Sequence, residues 1–581
     1  MAPDSSSDKS TPTEPTPDET SEPSGDDLSK LVSEDGPEPS TAIDESSAPA
    51  TPVKDPKPAS SRLRWFDILI FAALAIMASV GFWRHAVGDL YSDEADYALA
   101  SVRGFDANRW DRSDIPREPN RLVAARHFHA PLTVDLIMVA HRFGADDRTI
   151  RMPFIAAGGL AVGVVYLCGL ALFDRRREVA IGCALLTAIA PPITRMASHA
   201  LPWSPIILEL LLLLWCLAEY TRGRHWGWIA ALFGVMATLF VTSEMFFVAA
   251  PAVILAAPFL FWSDVREVGG RQRLARGSGI GLALFAAVAI AVWPSGLTGD
   301  AVSMLRHYIQ MRHSGSFPVN VGQEIFAVAP KWSYVYWYWN DYKPFAVCYA
   351  AAVPAIIALA VFRRLHVSLI PLVLLSAFLM FAAHRAHIIG PEYLAHCLPF
   401  LTLLGGYAVY AIGHINRPLG IVLVMVIVIP MYRWTPRKQL PGMDDRAQIS
   451  RWPAASHFLG PRWHAGDKIV VGSQPVSVGH WYLVYQGGAP ALDTQFQTMP
   501  VHEPRPAFLD RLRSGFYRYV AVSNMVEDNV DLDAKTRRIL RDWPVIWRSD
   551  EHETGPSRLV IYEASDRHTI AAPEHSTLNR R

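Results

Sequence analysis

The sequence predicts a mainly α-helical, polytopic membrane bundle of about eleven transmembrane helices, with a disordered tail before it and a small α/β domain after it. Three observations point there. Of the 581 residues, 51% are hydrophobic and 11% aromatic, and the mean hydropathy is +0.16. The apolar residues are gathered into runs of membrane-spanning length. Arginine and lysine recur on every second connection between those runs, at Asp174 to Arg177, Thr221 to Arg224, Arg266 to Arg276, Arg363-Arg364 and the short link ending in Arg417, the pattern expected where alternate loops face the cytoplasm.

Residues 1–60 are Pro, Ser, Thr, Asp and Glu with almost no large apolar side chain, and such a composition cannot offset the entropy of ordering. A disordered acidic cytoplasmic tail is expected. It lacks the basic start and early apolar core of a signal peptide. Of the chain's 54 acidic and 54 basic residues, this tail holds 14 and 4, which leaves 40 acids against 50 bases in a basic body. The five cysteines, at 168, 183, 216, 348 and 397, sit in or beside apolar runs, so core or lipid-facing positions are expected rather than disulfides or a zinc site.

The first run, roughly 65–83, follows Lys54, Lys57, Arg62 and Arg64, which places the tail inside and residues 84–150 outside. Further runs lie at roughly 152–173, 179–197, 204–220, 226–242, 245–262, 279–294, 345–362, 367–383, 394–413 and 418–432. The join between 226–242 and 245–262 is the weakest, because one kinked run there would invert everything after it. Outer segments are expected at 84–150, 295–343 and 433–581. Within the first, Pro131 to Phe143 has apolar residues at helical spacing but is too short to span, so an amphipathic interfacial helix is expected. In the last, strand-like runs at 468–472, 517–523, 544–548 and 558–564 predict a soluble extracytoplasmic α/β domain. No Gly-rich phosphate loop opens its helices. A domain boundary near 433 follows, with the membrane domain over 61–432.

Immediately after the first run comes Tyr91-Ser92-Asp93-Glu94-Ala95-Asp96-Tyr97, three carboxylates in four positions. On a helix Asp93 and Asp96 share a face and Glu94 is rotated away. A charged helix cap is the plain reading, and a reactive centre at the membrane surface is the functional one.

The order of motifs favours the second. Ser92-Asp93-Glu94-Ala95-Asp96-Tyr97-Ala98 is followed by His127-Phe128-His129-Ala130-Pro131-Leu132, by Ile150-Arg151-Met152-Pro153 opening the second run, and by the basic-Tyr-Pro segment His384 to Pro399. In that order and spacing, across most of 65–415, the chain resembles the GT-C class of polyprenyl-phosphate-sugar-dependent glycosyltransferases, the group of family 39, the protein mannosyltransferases and the lipid A aminoarabinose transferases. The resemblance implies transfer of a sugar from a polyprenyl phosphate to an acceptor on the outer face of an inner or plasma membrane. It makes Asp93 the general base, which an acceptor hydroxyl needs within hydrogen-bond reach, and Glu94 a second acidic contributor. Asp96, Arg126, His127, His129, Arg385, His387 and Tyr393 become substrate-binding candidates, the cations facing the lipid phosphate.

The chain departs from many relatives in having His129-Ala130-Pro131 where they have Lys-Pro-Pro, so His129 stands at the lysine position and serves a phosphate as imidazolium or neutral donor. Plainer readings stand beside these: interfacial polar residues for His127 and His129, and a snorkelling helix end for Arg385 and His387.

Arg306, His307, Arg312 and His313 face either phosphate or lipid headgroups. The aromatic-rich Lys331 to Pro344 fits an interfacial belt more simply than a sugar platform. Glu209 and Glu244 fall inside runs, where charge is costly; pairing with Arg195 is one expectation for Glu209, and an outer turn for Glu244. A divalent metal ion near Asp93, Glu94 and a histidine is compatible with the class, with no ligand set fixed by spacing. The expected partners are the donor, membrane lipids and an acceptor glycan, lipid or protein, with no nucleic acid. Two rivals remain: an O-antigen ligase or polymerase acting on a lipid phosphate, and a transporter, for which no internal repeat is seen.

Overall fold

The computed structural model describes residues 64–90, 92–103, 132–144, 146–243, 245–292, 319–321, 324–326, 336, 350, 367–385, 395–415, 417–434, 451–471, 476–489, 496–498, 506–523, 534–549 and 559–564. Contacts divide the chain into Met1–Ser60, wholly outside those residues, and Ser61–Arg581. The expected tail and, apart from residue 350, the apolar run at 345–362 therefore lie outside the described residues. So do residues 306–313, Glu244 and Cys348, and most of 331–344.

The helices in chain order are α1 (Trp65–His85), α2 (Ser92–Arg103), α3 (Leu132–His141), α4 (Asp147–Leu172), α5 (Arg177–Ala188), α6 (Pro191–Ser198), α7 (Trp203–Gly223), α8 (Trp226–Thr242), α9 (Phe246–Arg266), α10 (Val268–Val292), α11 (Leu369–Arg385), α12 (Leu398–Ile415) and α13 (Arg417–Trp434). Among the described residues five helices are long and apolar enough to cross a membrane, and six if the bent pair α5–α6 is one span; α8, α11, α12 and α13 are shorter apolar helices by the same measure. This is a multi-pass membrane protein. The single run expected at 179–197 is broken and bent by 63°. Pro191 opens α6, and Ala190 before it is extended (φ −67°, ψ 120°), as the ring of a following proline requires. The weak join at 243–245 does separate two helices, because Ser243 is extended (φ −167°, ψ 158°). Residues 266–276, expected as a connection, are instead mostly helical, since α10 begins at Val268.

The centre of the bundle is α4. Its sequence is apolar all round, and nearly every side chain from Phe154 to Leu172 is buried. Small residues let α1 approach it: a Cβ at Gly163 would stand 2.7 Å from the Phe71 ring, and one at Gly159 would meet Ser79. Outward, Ile76 and Met77 on α1, Ile254 and Phe259 on α9 and Met425 and Val426 on α13 are exposed, an apolar surface suited to lipid. The four described cysteines are buried, and none is joined to another in a disulfide.

The C-terminal segment carries α14 (Trp452–Leu459), α15 (Val476–Trp481) running into a π-helical turn Tyr482–Gln486, α16 (Pro506–Arg513) and α17 (Ala534–Arg541). Its strands lie close to the expected runs, with one more that alternation did not reveal. β1 (Val319–Val321) and β2 (Glu324–Phe326) form a separate hairpin, and β3 (Ile469–Val471), β4 (Phe496–Thr498), β5 (Tyr519–Ser523), β6 (Val545–Arg548) and β7 (Leu559–Glu563) form a mixed sheet of order β4-β3-β5-β7-β6. β3 is parallel to both β4 and β5, and β7 is antiparallel to β5 and β6. Alternation splits the two faces. Val470, Val520 and Val522 pack under α16 and α17. Ile469, Val471, Tyr519 and Ala521 belong to the same buried cluster as Leu90 and Leu99 of the α1–α2 region and Phe154 of α4. The sheet thus shares a core with the membrane helices.

Candidate active site

The α1–α2 turn needs a glycine: Gly88 has φ +87°. It lets the chain turn at the end of α1 and present the Gly88 and Asp89 carbonyls to the start of α4. That start is capped by Asp146, whose carboxylate accepts from the backbone N–H groups of Arg148 and Thr149 at 3.1 Å each. One turn further in, Arg151 is completely buried.

Four hydrogen bonds satisfy its guanidinium. Nε donates to Glu94 Oε1 and Nη2 to Glu94 Oε2, both at 2.8 Å, a two-bonded pairing. Nη1 donates to the Gly88 carbonyl at 3.0 Å and Nη2 to that of Asp89 at 2.9 Å. Glu94 Oε1 also accepts from the Ala200 backbone at 2.6 Å, so its carboxylate joins α2, α4 and the α6–α7 connection. A charge pair this dry persists only when its remaining donors and acceptors are also satisfied, and here most of them are.

This pair orients α2. Glu94, Ala95, Tyr97, Ala98, Leu99 and Ser101 are buried, and by helical period positions 93, 96 and 100 fall on the arc that this set leaves free. Position 93 stands in the first turn of α2, where the helix dipole favours a carboxylate. The side chains of Asp93 and Asp96 lie outside the described residues, as do Arg126, His127, His129, His387 and Tyr393 entirely. Arg385 ends α11 with its side chain outside the description. Of the expected site residues the structure therefore fixes Glu94, and it gives Glu94 a partner, Arg151, that sequence reasoning had noted only as part of a motif.

The short helix expected in the interface is α3, but Thr133, Val134, Ile137 and Ala140 are buried in protein while Met138, Val139 and Phe143 are exposed. It packs against α2 and α4. Burial pushes the His141 imidazole below its usual range, against a hydrogen bond to the Ala98 backbone that pulls the other way. Glu209 is buried and accepts from Thr242 at 2.8 Å, which replaces the expected pairing with Arg195. His396, inside the expected basic-Tyr-Pro segment, is fully buried, has no hydrogen-bond partner for either ring nitrogen among the described residues, and stacks 6.0 Å from Trp203. Nothing in its spacing singled it out. Among the described residues no three His, Cys, Asp or Glu side chains converge as metal ligands.

Residues 129–293 match the family model of dolichyl-phosphate-mannose-protein mannosyltransferases. Among solved structures, ArnT from Cupriavidus metallidurans bound to undecaprenyl phosphate superposes with a TM-score of 0.55 at 13% identity, over 85% of this chain and 97% of that one. The chain has the GT-C fold. The arabinofuranosyltransferase AftD from Mycobacteria agrees, with a TM-score of 0.50 at 14% identity over 85% of this chain and 40% of its own. No curated protein matches in sequence. At these identities the likeness establishes the GT-C fold of the chain, and the buried Glu94–Arg151 pair lies within it.

Proposed function

We propose that this GT-C protein is a membrane glycosyltransferase that moves a sugar from a polyprenyl-phosphate-linked donor to an acceptor on the outer face of the membrane. The observation that carries the reading is the dry Glu94–Arg151 pair, which holds α2 with position 93 in its first turn on the uncommitted arc. The mannosyltransferase family match and the ArnT structure with its undecaprenyl phosphate support the donor class.

In this reading Asp93 takes the proton from the acceptor hydroxyl as that oxygen attacks the anomeric carbon. The bond from that carbon to the phosphate oxygen breaks, its electron pair leaves with polyprenyl phosphate, and the anomeric centre inverts. Arg126, His127, His129, Arg385 and His387 stabilise the departing phosphate, with Asp96 and Tyr393 on the sugar. Glu94 acts through Arg151 as a positioning residue. The tail lies in the cytoplasm and residues 433–581 outside. Ion pairs at the opposite ends of the helices support that orientation: Arg177 meets Asp67 at the start of α1, and Arg224 and Arg273 meet Asp264 at the end of α9, on the arginine-rich side.

The test is transfer of label from a panel of radiolabelled polyprenyl-phosphate sugars in membranes with the wild-type chain or Asp93→Asn at equal abundance. Label should reach an acceptor with wild type and fall at least about a hundredfold in the variant. If no donor is consumed, or the variant matches wild type, the assignment fails.

A further inference from the structure

The helix that carries Asp93 is held by more than its own bundle. We propose that Tyr482, contributed by the C-terminal sheet segment, is a positioning residue for the transferase site, acting through the α1–α2 turn; the inference rests on the glycosyltransferase reading above.

The Tyr482 hydroxyl accepts from the Leu90 backbone N–H at 2.7 Å and donates to Asp147 Oδ2 at 2.8 Å. Gln486, one turn on, donates to the other oxygen of Asp147 at 3.0 Å. Tyr482 is fully buried. Burial, then the carboxylates of Asp147 and Asp89, push its hydroxyl well above the usual phenol range, so it keeps the proton it donates. Leu90 is two residues from the start of α2, and the carbonyls just before it, at Gly88 and Asp89, are those that Arg151 holds. The turn is therefore gripped from both sides, by a guanidinium from α4 and a phenol from the sheet segment. Next to Tyr482, the Trp481 ring lies 5.3 Å from His141, which bonds to the Ala98 backbone on α2. Packing alone would be served by phenylalanine at 482. A hydroxyl used in both directions between the turn and the first residue of α4 fixes the direction in which α2 leaves.

Tyr482→Phe removes both bonds and keeps the ring. In the full chain in lipid nanodiscs, backbone amide exchange over 90–99 should quicken while that of α14 and β5 stays unchanged. The rate constant kcat for sugar transfer should fall about tenfold, the loss expected when a buried hydrogen bond that orients a reacting group is removed. KM for the donor should stay within about twofold, because ground-state binding is left intact. Asp147→Leu should reproduce the effect and not add to it in the double variant, whereas Asp147→Asn, which keeps an acceptor for the phenol, should restore most of kcat. Unchanged exchange over 90–99 overturns the proposal, as does quickened exchange with kcat intact or a loss confined to KM. If wild type transfers no sugar from any donor, the functional reading fails and exchange alone decides whether Tyr482 sets the turn.

Discussion

The two ends of the helix bundle handle charge differently. At the end proposed above to face outward, Glu94 and Arg151 are both 0% exposed and bind each other through two bonds, with two further donors of Arg151 on the backbone of the α1–α2 turn. At the opposite end, proposed as the inner one, the acids Asp67 and Asp264 are 3% and 2% exposed, but their partners Arg177 and Arg224 are each 34% exposed. The inner arginines reach from water to carboxylates at the helix ends, and solvent screens what they gain. Water reaches neither member of the outer pair. It is the arrangement expected where two segments must meet in one geometry, whereas the inner pairs only require an arginine nearby.

Arg151→Met breaks the comparison most strongly. It leaves the Glu94 carboxylate buried without its cation, and loss of one partner of such a pair costs about 3–5 kcal/mol. The thermal midpoint in nanodiscs should drop by several degrees and transfer should vanish. Adding Glu94→Leu should recover most of the stability and none of the activity, since an apolar pair of similar volume is close to neutral. An inner pair should respond less. Arg177→Gln leaves Asp67 its bonds from Tyr166 and the Arg64 backbone, so about 1 kcal/mol or less is expected, with transfer retained. The smallest effect concerns pH. Burial holds the His141 imidazole below its ordinary value of 6.5. Its neutral packing is fully favourable above that value, and stability is lost as pH falls below it, because the unfolded chain takes up a proton that the folded one resists. Protection factors of the α3 amides, corrected for the intrinsic pH dependence of exchange, should therefore be lower at pH 5.5 than at 7.5, and His141→Phe should flatten the dependence.

Much of the bundle was legible because spanning length and alternate arginines are strong signals in a chain that must satisfy its backbone within lipid. Asp174 to Arg177, Arg222, Arg224 and Arg417 were placed on one side from spacing, and Arg177, Arg224 and Arg417 do pair with acids at the ends of helices. The break before Pro191 was missed because its apolar pattern runs straight through, and only the proline pair signals it. The α/β character of the C-terminal segment was readable from four short runs, but β4, with three residues, is too short for alternation to show.

At the site, the carboxylate cluster and the Arg-x-Pro motif were both read as separate marks. That Glu94 and Arg151 close on each other across 57 positions is a long-range pairing, and nothing local encodes it. The same holds for Tyr482, which lies 392 positions from the Leu90 amide it receives.

The central claim is that the adjacent carboxylates Asp93 and Glu94 have different jobs, one reacting and one holding. The direct measurement is the thermal midpoint and the transfer rate of Asp93→Asn and Glu94→Gln side by side in nanodiscs. Asp93→Asn should keep the wild-type midpoint and lose transfer at least about a hundredfold, while Glu94→Gln should lower the midpoint. A stable, inactive Glu94→Gln beside an active Asp93→Asn would contradict the account.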